Sequence, residues 1–223
     1  MSVHMHREID KLKKHILALG ALVEENVQLS LKALSTGDKS LADRVLDRDE
    51  EIDRKEVAIE EECLKILALY QPVAVDLRFV VALLKINNDL ERVGDQAVNI
   101  ANKVEITARA GNASLLHVFE SVMVDKALWM LRESLNALVN MDTGLARKVR
   151  ATDDEVDNLK GEAREAFLRE ITKKPDHART LLALFGAARN IERMADLACN
   201  IAEDVIYMVE GNIVRHGGNQ ADK

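Results

Sequence analysis

Four pairs of carboxylates stand four residues apart in this chain: Asp49/Asp53, Glu91/Asp95, Asp153/Asp157 and Glu192/Asp196. On a helix, side chains at that spacing lie about 6 Å apart on one face, where like charges cost a few tenths of a kcal/mol unless a cation lies between them. Carboxylate oxygens suit hard cations such as Mg, Ca, Mn and oxidised iron. The neighbouring Arg92 and Arg193 are another source of positive charge. With 38 Asp and Glu among 223 residues, any one such pair reads as a solvated helix face. What sets these four apart is that they recur at matched positions.

The stretch Leu90-Glu91-Arg92-Val93-Gly94-Asp95-Gln96-Ala97-Val98-Asn99-Ile100-Ala101 returns as Ile191-Glu192-Arg193-Met194-Ala195-Asp196-Leu197-Ala198-Cys199-Asn200-Ile201-Ala202, with seven of twelve positions identical at an offset of 101. Leu41-Ala42 through Asp53 likewise matches Leu145-Ala146 through Asp157, at an offset of 104. A self-match in both acidic and apolar positions implies a duplicated unit that gains stability by stacking on its copy.

The elements that must position these pairs are helices. Long runs rich in Leu, Ala, Glu, Lys and Arg, with two prolines and 3% aromatic residues, favour helix over strand throughout. Turn signals at Gly37-Asp38, Gln71-Pro72, Gly111-Asn112, Asp142-Thr143-Gly144 and Lys174-Pro175-Asp176 leave helices at roughly 7–35, 38–70, 74–109, 114–140, 144–173 and 177–210. The expected fold is all-α: two tandem three-helix bundles over 1–111 and 112–211, related by internal duplication, with a polar, disordered tail at 212–223. A buried seam runs along the third helix as Leu83, Ile86, Leu90, Val93, Ala97, Ile100 and Val104, and along its copy as Leu184, Ala187, Ile191, Met194, Ala198, Ile201 and Val205. Glu91 and Asp95 lie on the far side of that seam, pointing out of the bundle. Asp49/Asp53 and Asp153/Asp157 straddle Ile52 and Val156, which puts them on a shoulder that a third helix could complete.

Composition excludes several classes. A formal charge of -7 without a Lys/Arg cluster argues against nucleic-acid binding. Cys63 and Cys199 are too few and too far apart for a metal finger and read as buried or half-buried thiols in a reducing compartment. The start lacks an apolar signal core and no run approaches the ~20 residues of a membrane span, so a cytoplasmic protein is expected. His4 and His6 read as part of a disordered terminus. His15, His117, His177 and His216 form no spaced cluster, and Met123, Trp129, Met130 and Met141 read as core or contact surface.

Gln71-Pro72-Val73-Ala74-Val75-Asp76-Leu77-Arg78, Ile86-Asn87-Asn88-Asp89-Leu90-Glu91-Arg92-Val93-Gly94-Asp95 and Asn99-Ile100-Ala101 resemble the first-half signature of the PhoU family of phosphate-transport regulators. Ile191-Glu192-Arg193-Met194-Ala195-Asp196 with Asn200-Ile201-Ala202-Glu203-Asp204-Val205-Ile206-Tyr207 resembles its second. The resemblance spans nearly the whole chain. It implies a homodimeric, non-enzymatic regulator that links a phosphate ABC transporter to a sensor histidine kinase, peripheral at the inner face of the membrane through those partners. It also implies a surface metal cluster on each bundle, with iron, zinc, manganese or magnesium as candidates. One would use Asp49, Asp53, Glu91 and Asp95, the other Asp153, Asp157, Glu192 and Asp196. Leu197 departs from the pattern, standing where such proteins often place a His after the second motif's Asp.

Two other readings compete with the regulator. A helical-bundle di-metal enzyme needs inward-facing Glu-x-x-His pairs. No His in this chain has a Glu three residues before it. A structural helical scaffold would leave its acidic stripes solvated and empty.

Overall fold

A computed structural model describes residues 3–108, 122–212 and 214. In chain order the helices are α1 (Val3–Thr36), α2 (Lys39–Tyr70), α3 (Ala74–Ala101), the short α4 (Val104–Ala108), α5 (Val122–Asn140), α6 (Thr143–Lys173) and α7 (Ala178–Glu210). A 3-10 turn, Pro175–His177, precedes α7, and no strand occurs among the described residues. No described helix is long and apolar enough to cross a membrane.

Local chemistry sets the boundaries. Asp38 caps α2 by accepting from the backbone N–H groups of Ser40 (2.8 Å) and Leu41 (3.4 Å), and Asp142 caps α6 by accepting from Leu145 N–H (2.9 Å). The chain leaves α2 through Gln71 and α7 through Gly211, both left-handed. Two boundaries differ from expectation. The helix begins at Val3, so His4 and His6 belong to α1 instead of a disordered start. The third helix does not run unbroken to 109. It tightens where Lys103 N–H donates to Ile100 C=O at 3.0 Å, a three-residue bond that ends the α-helical ladder before α4 resumes it. The turn and domain boundary expected at 111–112, the expected start of the fourth helix at 114, and most of the tail lie outside the described residues.

Helices α1–α3 form one bundle and α5–α7 the other. Every seam position named for α3 and α7, and Val104 in α4, is buried to 2% exposure or less, as are Ile52 and Val156. The bundles meet through α3 and α7, which run antiparallel: Lys85 lies against Asp204, Lys103 against Gly186, and Arg78 against Gly211. Under the offset of 101, Lys85 corresponds to Gly186 and Lys103 to Asp204, so the first two contacts are images of each other. The halves are thus related by an internal two-fold passing near Gly94 and its counterpart Ala195, an arrangement like the isologous interface of a dimer.

That arrangement buries both third helices on two sides. Asp89 and Gln96 on α3, and Asn190 and Asp204 on α7, are polar yet no more than 9% exposed.

Candidate functional site

Each half presents one carboxylate cluster where its second and third helices pack. In the first, Asp49 and Asp53 come from α2, and Glu91 and Asp95 from α3. The α2 and α3 backbones are close here: a Cβ at Gly94 would stand 3.4 Å from Asp49 Oδ1 and from two carbons of Ile52, ordinary contact distance, and the counterpart position holds Ala195. Asp49 and Glu91 are half-buried, and Asp53 and Asp95 are exposed. The four are near enough to perturb one another. Burial, with the charges of Asp53 and Asp95, pushes Asp49 up to about 6. Burial, followed by Asp95, Asp53, Glu56 and Asp49, raises Glu91.

Glu56, one turn beyond Asp53, is therefore a fifth member. It is itself raised by burial and by the charges of Glu60 and Asp53. None of these five carboxylates makes an ion pair among the described residues. Arg92 does not fill the gap, because its Nη1 donates to Asp89 Oδ1 at 3.1 Å.

The second cluster repeats the plan with Asp153 and Asp157 on α6 and Glu192 and Asp196 on α7. Burial, then the charges of Glu192, Asp153 and Asp157, pushes Asp196 up to about 6. Asp153 is raised by burial first and by Asp157 next. Here a cation is built in. Lys160 Nζ donates to Glu192 Oε1 and lies 3.6 Å from Asp157 Oδ1, and the bond to Glu192 raises the lysine's pKa. Arg193 makes no ion pair among the described residues. It lines a groove of about 1080 Å³ between α3 and α7, with Lys85, Arg92, Asp153, Asp196 and Leu197.

All eight carboxylates singled out in the sequence thus assemble into two groups of four off the apolar seams, with no imidazole among them in the described residues; Asp153 and Asp196 of the second group border the groove between the bundles instead of an outer shoulder. Among the described residues, no three His, Cys, Asp or Glu side chains converge tightly enough to hold a metal ion as they stand. Sequence reading missed Glu56 and Lys160, although the offset of 104 that pairs Asp53 with Asp157 pairs these two as well. Both cysteines are free thiols that burial pushes up to about 12, which leaves them protonated and poor nucleophiles.

A pH dependence follows for protein without divalent cations. The folded Asp49 has a raised pKa, so it keeps its proton where the unfolded chain has lost it. Folding then takes up a proton, and this residue's contribution to stability is best below the unfolded value of 3.8 and declines as pH rises through about 6. Compared with Asp49→Asn in chelator-containing buffer, wild type should lose ground in urea midpoint between about pH 4 and pH 6. Parallel curves for the two proteins would remove Asp49 from a charged cluster.

The same two units appear in comparison with known proteins. The PhoU domain model matches residues 16–104 and again 121–205. The chain is 35% identical over 218 residues to a phosphate-specific transport system accessory protein PhoU homolog of Pseudomonas putida, covering 98% of this chain and 85% of that one. It is 35% identical over 212 residues to the homolog from Aquifex aeolicus (strain VF5), covering 95% and 96%. The crystal structure of PhoU from Pseudomonas aeruginosa superposes with a TM-score of 0.90 at 34% identity, over 93% of this chain and 99% of that one. With both halves matched and the fold shared along almost the whole length, this chain belongs to the PhoU family.

Proposed function

We propose that this chain is a non-enzymatic regulator of phosphate uptake and phosphate-starvation signalling, acting in the cytoplasm as an adaptor between a phosphate ABC transporter and a sensor histidine kinase. The observation that carries this reading is the match along nearly the whole chain to relatives named as accessory proteins of the phosphate-specific transport system. The kinase arm rests on the signature resemblance in α3 and α7. Burial of the apolar seams, with the carboxylates left outside the bundle cores, supports an adaptor over a di-metal enzyme, whose ligands project into the bundle. Pairing of two chains into a homodimer belongs to the same reading. Exposed Leu69, Val73 and Val75 around the α2–α3 turn offer apolar surface for contact with a partner or a second copy.

Cation binding is the chemical part of the proposal. The first cluster suits a hard divalent ion by donor type and charge: every donor is a carboxylate oxygen, and no basic side chain among the described residues pairs with the set. Asp49, Asp53, Glu91 and Asp95 would hold the ion. The ion would supply positive charge that relieves the mutual repulsion of these groups. The family resemblance assigns the same role to Asp153, Asp157, Glu192 and Asp196 in the second half.

Deletion of the gene, with phosphate uptake and starvation-gene output as readouts, tests the regulatory reading. Starvation genes should then be expressed in phosphate-rich medium, and supplying the chain in trans should silence them. Unchanged expression in the deletion strain would overturn it. Turnover of a defined substrate, lost in carboxylate variants that still bind partners, would point to an enzyme instead.

A further inference from the structure

The two clusters descend from one duplicated unit but differ at one position that matters electrostatically. Glu56 in α2 aligns with Lys160 in α6, and this exchange changes the formal charge of the cluster by two units. The two side chains reach the third helix of their own half. Lys160 donates to Glu192, the counterpart of Glu91, and Glu56 is held by Asn87, one turn before Glu91. The first half also holds its glutamate in place. Asn87 Nδ2 donates to the Glu56 backbone oxygen at 2.9 Å and to its Oε1 at 3.1 Å, and the position aligned with Asn87 is Ala188.

The environment favours the lysine. The side chain of Glu192 is 14% exposed and that of Lys160 is 34% exposed, so the pair is partly shielded from water and its attraction is stronger than that of a fully solvated pair. The ammonium is tethered to its own helix, so its local concentration exceeds that of a free ion and it gives up no translational freedom on binding. It engages two of the four acidic groups, Glu192 and Asp157. An ion that recruited the full ligand set would have to expel it.

Building on the reading that the first cluster takes a divalent cation, we propose that Lys160 is a tethered cation that takes the metal's place in the second cluster. Divalent binding is thereby confined to the first half. The second half is closed by its own lysine and is indifferent to metal, while the first half, with Glu56 adding to its negative charge, depends on an external ion. The internal two-fold of the fold is broken in its chemistry, and only one of the two halves responds to divalent cations.

The test uses the full chain, Mn2+ as the probe, and two readouts: bound Mn2+ at equilibrium, and the thermal midpoint in chelator. Wild type should show a single class of site that survives Asp153→Asn with Asp196→Asn. Lys160→Gln should add a second class, lost again when those asparagines are introduced. Glu56→Lys should remove most of the wild-type binding. Without metal, Lys160→Gln should lower the midpoint and Glu56→Lys should raise it, each by about 2–4 °C. If wild type binds Mn2+ but Lys160→Gln gains no site, or if Asp153→Asn with Asp196→Asn empties the wild-type site, the proposal is overturned. If neither wild type nor Lys160→Gln binds Mn2+, the cation reading of the first cluster fails, and the midpoints decide for Lys160: opposite shifts uphold its role as a built-in cation, and unmoved midpoints overturn it.

Discussion

Replacing Asp49 and Asp95 together by asparagine is expected to weaken divalent-cation binding by about 100-fold or more, while the protein remains folded. Metal affinity falls about 10–100-fold when even a supporting group outside the ligand set is lost, so removing two direct donors of opposite helices should exceed that range. The pair is chosen for its geometry: Asp49 is the half-buried donor seated against Gly94, and Asp95 is the exposed donor that raises its pKa. Asparagine keeps the shape and one oxygen of each side chain, so α2 and α3 should pack as before. Because the substitution also removes like charges, the metal-free variant should be at least as stable as wild type, and surface changes of this kind ordinarily shift stability by about ±0.5 kcal/mol. Calorimetric titration with Mn2+, alongside urea unfolding in chelator, separates the two effects. Undiminished Mn2+ affinity would show that these carboxylates are not ligands. Unfolding of the metal-free variant would show that they hold the bundle together.

Lys85→Met is expected to destabilise the chain by about 1.5–3 kcal/mol, the range for a hydrogen bond to a charged group. Lys85 Nζ lies 3.4 Å from Asp204 Oδ1 across the junction between the halves, and the Asp204 side chain is only 2% exposed. The same ammonium stands 5.1 Å from the centre of the Tyr207 ring. Methionine preserves the length and apolar stem of the lysine, which isolates the charge as the variable. Its removal deprives a buried carboxylate of one of its partners, and burying charge without compensation is costly. Urea unfolding gives the measurement: the midpoint should fall and the slope should stay near the wild-type value if the two halves still unfold as one unit. An unfolding free energy unchanged within about 0.5 kcal/mol would mean that apolar packing alone joins α3 to α7. The image contact offers an internal control, since Lys103 lies along Gly186 and reaches no carboxylate there.

Much of the fold was legible because it is written in local periodicity. The seam from Leu83 to Val104 and its copy from Leu184 to Val205 repeat at helical spacing, and all of those positions are buried. The acidic pairs flank that seam at a fixed angle, so their place off it followed from 3.6 residues per turn without knowledge of any neighbour. The duplication was visible for the same reason: a constant offset is a property of one chain read against itself. Misplaced boundaries were confined to ends, where few bonds decide the outcome. Helix α1 starts at Val3, and α3 stops at Ala101 through a single tightened turn.

By itself, then, the sequence determined that this is an all-helical, duplicated protein, and that its acidic pairs lie off the buried seams of its bundles. Tertiary structure decided which charges meet. Arg92 and Arg193 stood nearest the acidic pairs in sequence, yet Arg92 turns to Asp89 and Arg193 faces the groove between α3 and α7. The cation that reaches the second cluster is Lys160 on another helix, 32 residues from Glu192. Likewise Asp89, Gln96 and Asp204 are polar residues off the apolar seams that are buried because α3 and α7 pack antiparallel and cover each other's second face. The physical reason is one of range. The hydrophobic pattern of a helix is fixed by the geometry of its own turns, whereas ion pairs and burial between helices depend on crossing, direction and register, which no single segment specifies.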